Sequence, residues 1–129
     1  MIPASRRVIL KRATIGHAAT IGPDGAPQNN PNWFDWDGEL IRRSQPPARW
    51  KLKNLRRDGR IALSFLYPEN PYRYLEVRGV VDGIDEDADR AFIDGLARRN
   101  LGVEACQWDP PGTTRLVVRV RPMHTTGMG

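Results

Sequence analysis

The sequence predicts an α+β fold, mainly β: an antiparallel barrel or curled sheet with helices at its periphery. Two Asp-Gly turns, at 24–25 and 37–38, join alternating segments into a meander of three strands. The predicted elements then run helix, three strands, helix, two strands, helix, one strand. That order lacks the strict strand–helix alternation of a doubly wound parallel sheet. A chain of 129 residues is the size of one domain, 1–129, with one core.

Taken in order, "ASRRVILKRA" (4–13) predicts a first helix whose apolar patch is Val8, Ile9 and Leu10. "IGHAATIG" (15–22) reads as a strand, "APQNNPNWFDW" (26–36) as its return and "ELIRRS" (39–44) as the third. Pro46-Pro47 end that strand, and 48–58 reads as a helix, with proline acceptable just before its first turn. "RIALSFLYP" (60–68) is a nearly continuous apolar run, expected to be a central strand. After a turn at 68–72, residues 73–84 alternate as a half-buried strand should. The helix over 85–102 is capped by Asp85, buries Ala88, Phe92 and Leu96, and stops at Gly102. "EACQWDPPGTT" is a loop, "RLVVRVRP" (115–122) a closing strand, and "MHTTGMG" a loosely ordered tail.

Composition excludes several classes of function. The 40% hydrophobic and 27% charged fractions are ordinary for a globular protein. No apolar run approaches a membrane span, and the start is too weakly apolar for a signal peptide. One cysteine, Cys106, allows no internal disulfide and fits a reducing, cytoplasmic setting. His17 and His124 lie too far apart for a metal motif, and no GxSxG, GxGxxG or GxxxxGK[ST] occurs. The net charge of +5 points to anionic partners. Nucleic acid is not expected, since no reading module accompanies the charge and Trp33 and Trp36 read as core or interface residues.

The charge concentrates in "SQPPARWKLKNLRRD" (44–58). On a helix, Arg49, Lys53, Arg56 and Arg57 share one face, opposite Leu52 and Leu55. Lys51 falls on the Leu55 side, where a lysine normally needs an anionic partner. The cationic face is either solvated charge or, with the helix N-terminus, a receptor for phosphate or carboxylate built on Arg49, Lys51 and Lys53.

The stretch 17–79 resembles the flavin/deazaflavin oxidoreductase superfamily that includes pyridoxamine 5′-phosphate oxidase, and within it the branch using coenzyme F420. The resemblance rests on the "HAAT" strand, the "DGAPQ" turn, "WFDWDG", "RWKLKNLRRD" and "NPYRYLEVRG", and it continues through the last helix and strand. It implies a Greek-key-like split β-barrel of the FMN-binding type, a homodimer, and cofactor sites at the subunit interface. It places Gln28, Asn30 and Trp33 along the ring system. It places Ser44, Gln45, Arg49, Lys51, Lys53 and Asn54 around the phosphate-bearing tail. Tyr74, Glu76 and Arg78 share one strand face, which is either interface or the seat of an ion pair. The implied activity is hydride transfer from reduced F420 to an unidentified conjugated small-molecule acceptor. The alternatives are an FMN-binding oxidase-like protein and a non-catalytic binder. Against FMN stands the short chain after "RVRP", which leaves little room for the C-terminal segment of oxidase relatives. The chain departs from relatives at "NNPN" (29–32) and at Pro46-Pro47-Ala48, which stiffens the loop before the cationic helix.

Overall fold

Alternating burial is what bends this chain into a barrel. In β4 (Arg60–Tyr67), Ile61, Leu63 and Phe65 are buried, while the residues between them face outward. In β5 (Asn70–Glu86), Leu75 and Val77 do the same, as the pleat of a sheet with one apolar face requires. The molecule is a computed structural model that describes residues 2–13, 15–46, 50–106 and 109–129, excluding the side chains of Trp50 and Lys51. The remaining strands are β1 (Ile15–Ile21), β2 (Pro27–Trp36), β3 (Ile41–Gln45) and β6 (Leu116–Met128). They close into a barrel in the order β1-β2-β3-β6-β5-β4, with β4 returning to β1. All pairings are antiparallel.

The barrel is not evenly laced. β2 pairs with β3 only over Phe34–Trp36, whereas Pro27–Trp33 pairs with β1. Ser44 and Gln45, at the end of β3, pair with β6. The wall is therefore split between the first half of β2 and the end of β3.

A helix closes each end. α1 (Arg7–Arg12) packs on β2 and β4, where its Ile9 and Leu10 join Phe34 and Phe65 in the core. α2 (Trp50–Arg57) packs on β1 at the opposite end and buries Leu52 and Leu55. α3 (Ala91–Leu101) lies outside the barrel beside β2.

Several expectations need correction. The first helix begins as a 3-10 turn, Ala4–Arg6. The run 60–68 is not uniformly buried but alternates, because the barrel has one apolar side per strand. The cap of the last helix is Asp87, not Asp85, since β5 continues to Glu86. The Asp87 carboxylate accepts the N–H groups of Phe92 (2.8 Å) and Ile93 (2.9 Å), as a capping side chain does. Between cap and helix, Asp89 and Arg90 adopt left-handed φ of 54° and 59°, so the helical frame shifts. The buried face is then Ile93, Leu96 and Ala97, and Ala88 is exposed. Gly102 ends α3 at φ 70°, its N–H donating to the Arg98 carbonyl. The tail is not loose, because Thr125–Met128 pair with Tyr74–Val77 of β5.

Candidate functional site

Four of the residues singled out by the sequence, Gln28, Ser44, Gln45 and Asn54, fall into three separate hydrogen-bonded groups. The first is centred on Asn54, 2% exposed. Its Nδ2 donates to Gln28 Oε1 (3.2 Å) and Thr20 Oγ1 (3.4 Å), and its Oδ1 accepts from Arg57 (2.6 Å). Arg57 also donates to the Ile21 carbonyl (3.2 Å). Asn54 thereby fastens α2 across the ends of β1 and β2, and both its amide hydrogens are engaged in doing so. Gln28 is exposed with its amide nitrogen still able to donate, and Asn30, opposite Ala18, is exposed beside it on β2.

The second group is Arg43 and Gln45, on the face of β3 that also carries Ile41. Arg43 Nη2 donates to Gln45 Oε1 (3.0 Å). A guanidinium only donates, so this contact assigns the Gln45 oxygen to Arg43 and turns its NH₂ away as a donor. Burial pushes the Arg43 guanidinium down to about 10, which leaves it charged at neutral pH.

The third group lies on the outer side of β3. Arg115 donates to Ser44 Oγ (3.2 Å) and grips Asp109 with two bonds, 2.6 and 3.0 Å. Arg90 binds the same carboxylate at 2.9 Å and the Thr113 carbonyl at 3.1 Å, which holds its left-handed backbone in place. Hydrogen bonds from Arg115 and then Arg90 lower the Asp109 carboxyl to about 2. Because Ser44 accepts from Arg115, its own hydroxyl hydrogen is free to donate elsewhere. Trp33 is half-buried and, with Pro31, Asn32, Ile93 and Arg115, lines a hollow of about 270 Å³.

The cations divide. Lys53 and Arg56 are exposed on α2, while Arg57 is tied back to the barrel. Arg49 and the Lys51 side chain lie outside the described residues. Glu76 and Arg78 form an ion pair at 3.0 Å on the outer face of β5. His17 and His124 are exposed, and among the described residues no cluster of His, Cys, Asp or Glu is arranged to hold a metal. Among the described residues no helix is long and apolar enough to cross a membrane.

Sequence reasoning missed Thr20, Arg43, Asp109 and Arg115. Two of these had a signal: Arg43 shares parity with Ile41 in β3, and Thr20 shares parity with Ala18 in β1. Asp109 and Arg115 meet through a loop and carry no periodic signal.

The chain is similar throughout its length to proteins of known fold. An F420 reductase shares 38% identity at a TM-score of 0.86, with 97% of this chain and 98% of that one covered. A conserved hypothetical protein from Mycobacterium tuberculosis shares 25% identity at 0.78, covering 98% of this chain and 84% of that one. General Stress Protein 26 from Bacillus anthracis, at 14% identity and 0.70 over 95% and 89%, shares the fold. No curated protein is significantly similar. The pyridoxamine 5′-phosphate oxidase family matches residues 2–128. With the split antiparallel barrel and a full-length match, the chain belongs to the pyridoxamine 5′-phosphate oxidase family of oxidoreductases.

Proposed function

We propose that the protein is an F420-dependent reductase that delivers hydride to a conjugated organic acceptor. The observation that carries this reading is the 38% identity, over 97% of the chain, to an F420 reductase. Bound reduced F420 would supply a hydride from its deazaflavin ring. The protein supplies binding, orientation and exclusion of water.

The donor set fits a cofactor with an anionic tail. Ser44 has a hydroxyl hydrogen to give and Gln45 an amide NH₂, both at the end of β3 and directly before the cationic segment. Lys53, with Arg49 and Lys51 by resemblance, would add charge at the same end. Gln28, Asn30 and Trp33 would lie along the ring, and Asn54 would act by holding α2 over the split. We assign the second half of each site to another copy of the chain. An apolar hollow of about 380 Å³ on the outer wall, among Ala19, Ile21, Ala62, Val80 and Met123, offers a second copy a surface to cover.

Fluorescence titration of the purified protein with F420 and with FMN tests the reading. The expected result is tight F420 binding, weaker FMN binding, and an F420 Kd raised roughly three- to tenfold by Lys53→Ala, as loss of one partly screened charge predicts. Tight FMN binding without F420 binding would assign the protein to the flavin branch. Binding of neither would remove the enzyme reading.

A further inference from the structure

Arg43 is a charge in an unusual place. It is 2% exposed, on β3 between Phe34 of β2 and Val118 of β6. It borders a small internal cavity with Ala18, Asn32, Phe34, Leu63 and Phe65, none of which is ionisable. Its Nη2 bonds Gln45, while Nε and Nη1 are buried without a hydrogen-bond partner. No carboxylate among the described residues pairs with it, in contrast to Arg115, which Asp109 neutralises. A buried cation left with two unmet donors is strongly unfavourable. A core built for stability alone would place an apolar side chain at this position, as Ile41 is placed two residues earlier.

Within the functional reading above, we infer that Arg43 is a positioning residue for the anionic group of the cofactor. It sets the Gln45 amide as a donor toward the end of β3, and it places beside that strand one positive charge that no carboxylate among the described residues balances and an incoming anion would. The charge acts through a low-dielectric interior, where screening by salt is weak. Arg43 thus contributes to the selection of phosphate-bearing ligands without being exposed to them. The exposed lysine and arginine side chains of α2 provide the more readily screened part of the attraction.

The test compares ligands with and without the phosphate group: F420 against its phosphate-free deazaflavin chromophore, and FMN against riboflavin, with wild type and Arg43→Met. For whichever phosphate-bearing cofactor the wild type binds, Arg43→Met is expected to raise Kd at least about tenfold, the weight of one charge-assisted donor. The affinity for the phosphate-free partner should stay within about threefold on the same scale. Equal losses for both members of the pair would mean a merely structural role and overturn the inference, as would no loss for either. Wild-type binding of FMN alone would overturn the F420 reading and leave the Arg43 comparison decisive on FMN and riboflavin. Binding of neither phosphate-bearing cofactor overturns both.

Should Arg43→Met fail to fold, Arg43→Lys decides. A lysine at a buried site loses its proton more readily than arginine. Affinity for the phosphate-bearing ligand should then fall between pH 7 and 9 in the variant while the wild type holds. Affinity for the phosphate-free ligand should not change with pH. A profile parallel to wild type for both ligands would overturn the inference.

Discussion

The apolar core under α1 and the buried polar groups of α2, β1 and β3 are built from opposite chemistry. Under α1, Ile9 and Leu10 meet Phe34 and Phe65, whose rings stack at a tilt with centroids 4.4 Å apart. Gly16 leaves room for this, since a Cβ there would lie 2.5 Å from the Phe65 ring. Under α2, Leu52 and Leu55 are buried beside the polar Thr20 and Asn54, and on β3 Gln45 and Arg43 are buried, Arg43 opposite Phe34. Apolar burial stabilises at about 25 cal/mol per Å², whereas buried polar groups at best recover what their desolvation costs. The α1 end therefore holds the fold together. The buried polar groups give up stability and leave a set of oriented donors inside the fold.

The sharpest way to break this contrast is at its apolar end. Phe65→Ala empties a fully buried position of the α1 end, and we expect a loss of about 3–5 kcal/mol in urea unfolding. The matching substitution among the buried polar groups, Arg43→Met, should leave the ligand-free midpoint unchanged or raised, because it removes an unneutralised buried charge. A loss with Arg43→Met comparable to that with Phe65→Ala would abolish the distinction between the two sets.

Asn54→Ala comes next. It strips Thr20 of its bond inside the protein and frees Gln28 and Arg57 to water, for an expected loss of about 1–3 kcal/mol. If α2 is held chiefly by Leu52 and Leu55, the loss will instead fall under about 0.5 kcal/mol, in the range of surface substitutions. Hydrogen exchange along α2 separates the cases: the fastening by Asn54 predicts faster exchange over 52–57 with β4 unchanged.

This division was only half legible in the sequence. The strands, both Asp-Gly turns and the apolar side of α2 follow from local pattern, and Leu52 and Leu55 are buried as their spacing predicts. Asn54 meets Gln28 under α2, while Ser44 and Gln45 are buried at the end of β3 with other partners. What local pattern misled was the last helix. Asp85 and Asp87 are equally good caps by composition, and only the length of β5, fixed by its pairing with β6, selects Asp87. The tail 123–129 looked unstructured because its exposed polar residues have no apolar period, and Thr126 is held by β5 and by Glu76 (2.7 Å). Arg43 was legible in principle, being two residues from Ile41 on a short strand. An arginine in that position is ordinarily assigned to solvent, and only closure of the barrel puts it inside.

The smallest effect concerns the support of the end of β3 from outside. Ser44 is presented as a donor because Arg115 occupies its oxygen, and Arg115 is oriented by Asp109. The Asp109 carboxyl, ordinarily near 3.8, is lowered to about 2 in the folded protein by Arg115 and Arg90. A group whose folded pKa is depressed contributes stability above its unfolded pKa and loses it as pH falls through the folded value. The contribution of Asp109 is thus complete above about pH 4 and gone near pH 2. Asp109→Asn should cost about 1 kcal/mol at pH 7, discounted for screening at the loop edge, and should flatten the wild-type decline in stability between pH 4 and 2. Some decline will remain, because the Asp58 carboxyl is also lowered to about 2, by Arg60. Urea midpoints from pH 2 to 7 for wild type and variant measure the difference. An acid decline identical in the two proteins would mean that Asp109 is not what holds Arg115 against Ser44, and that the polar end is organised from within the barrel, through Arg43 and Asn54.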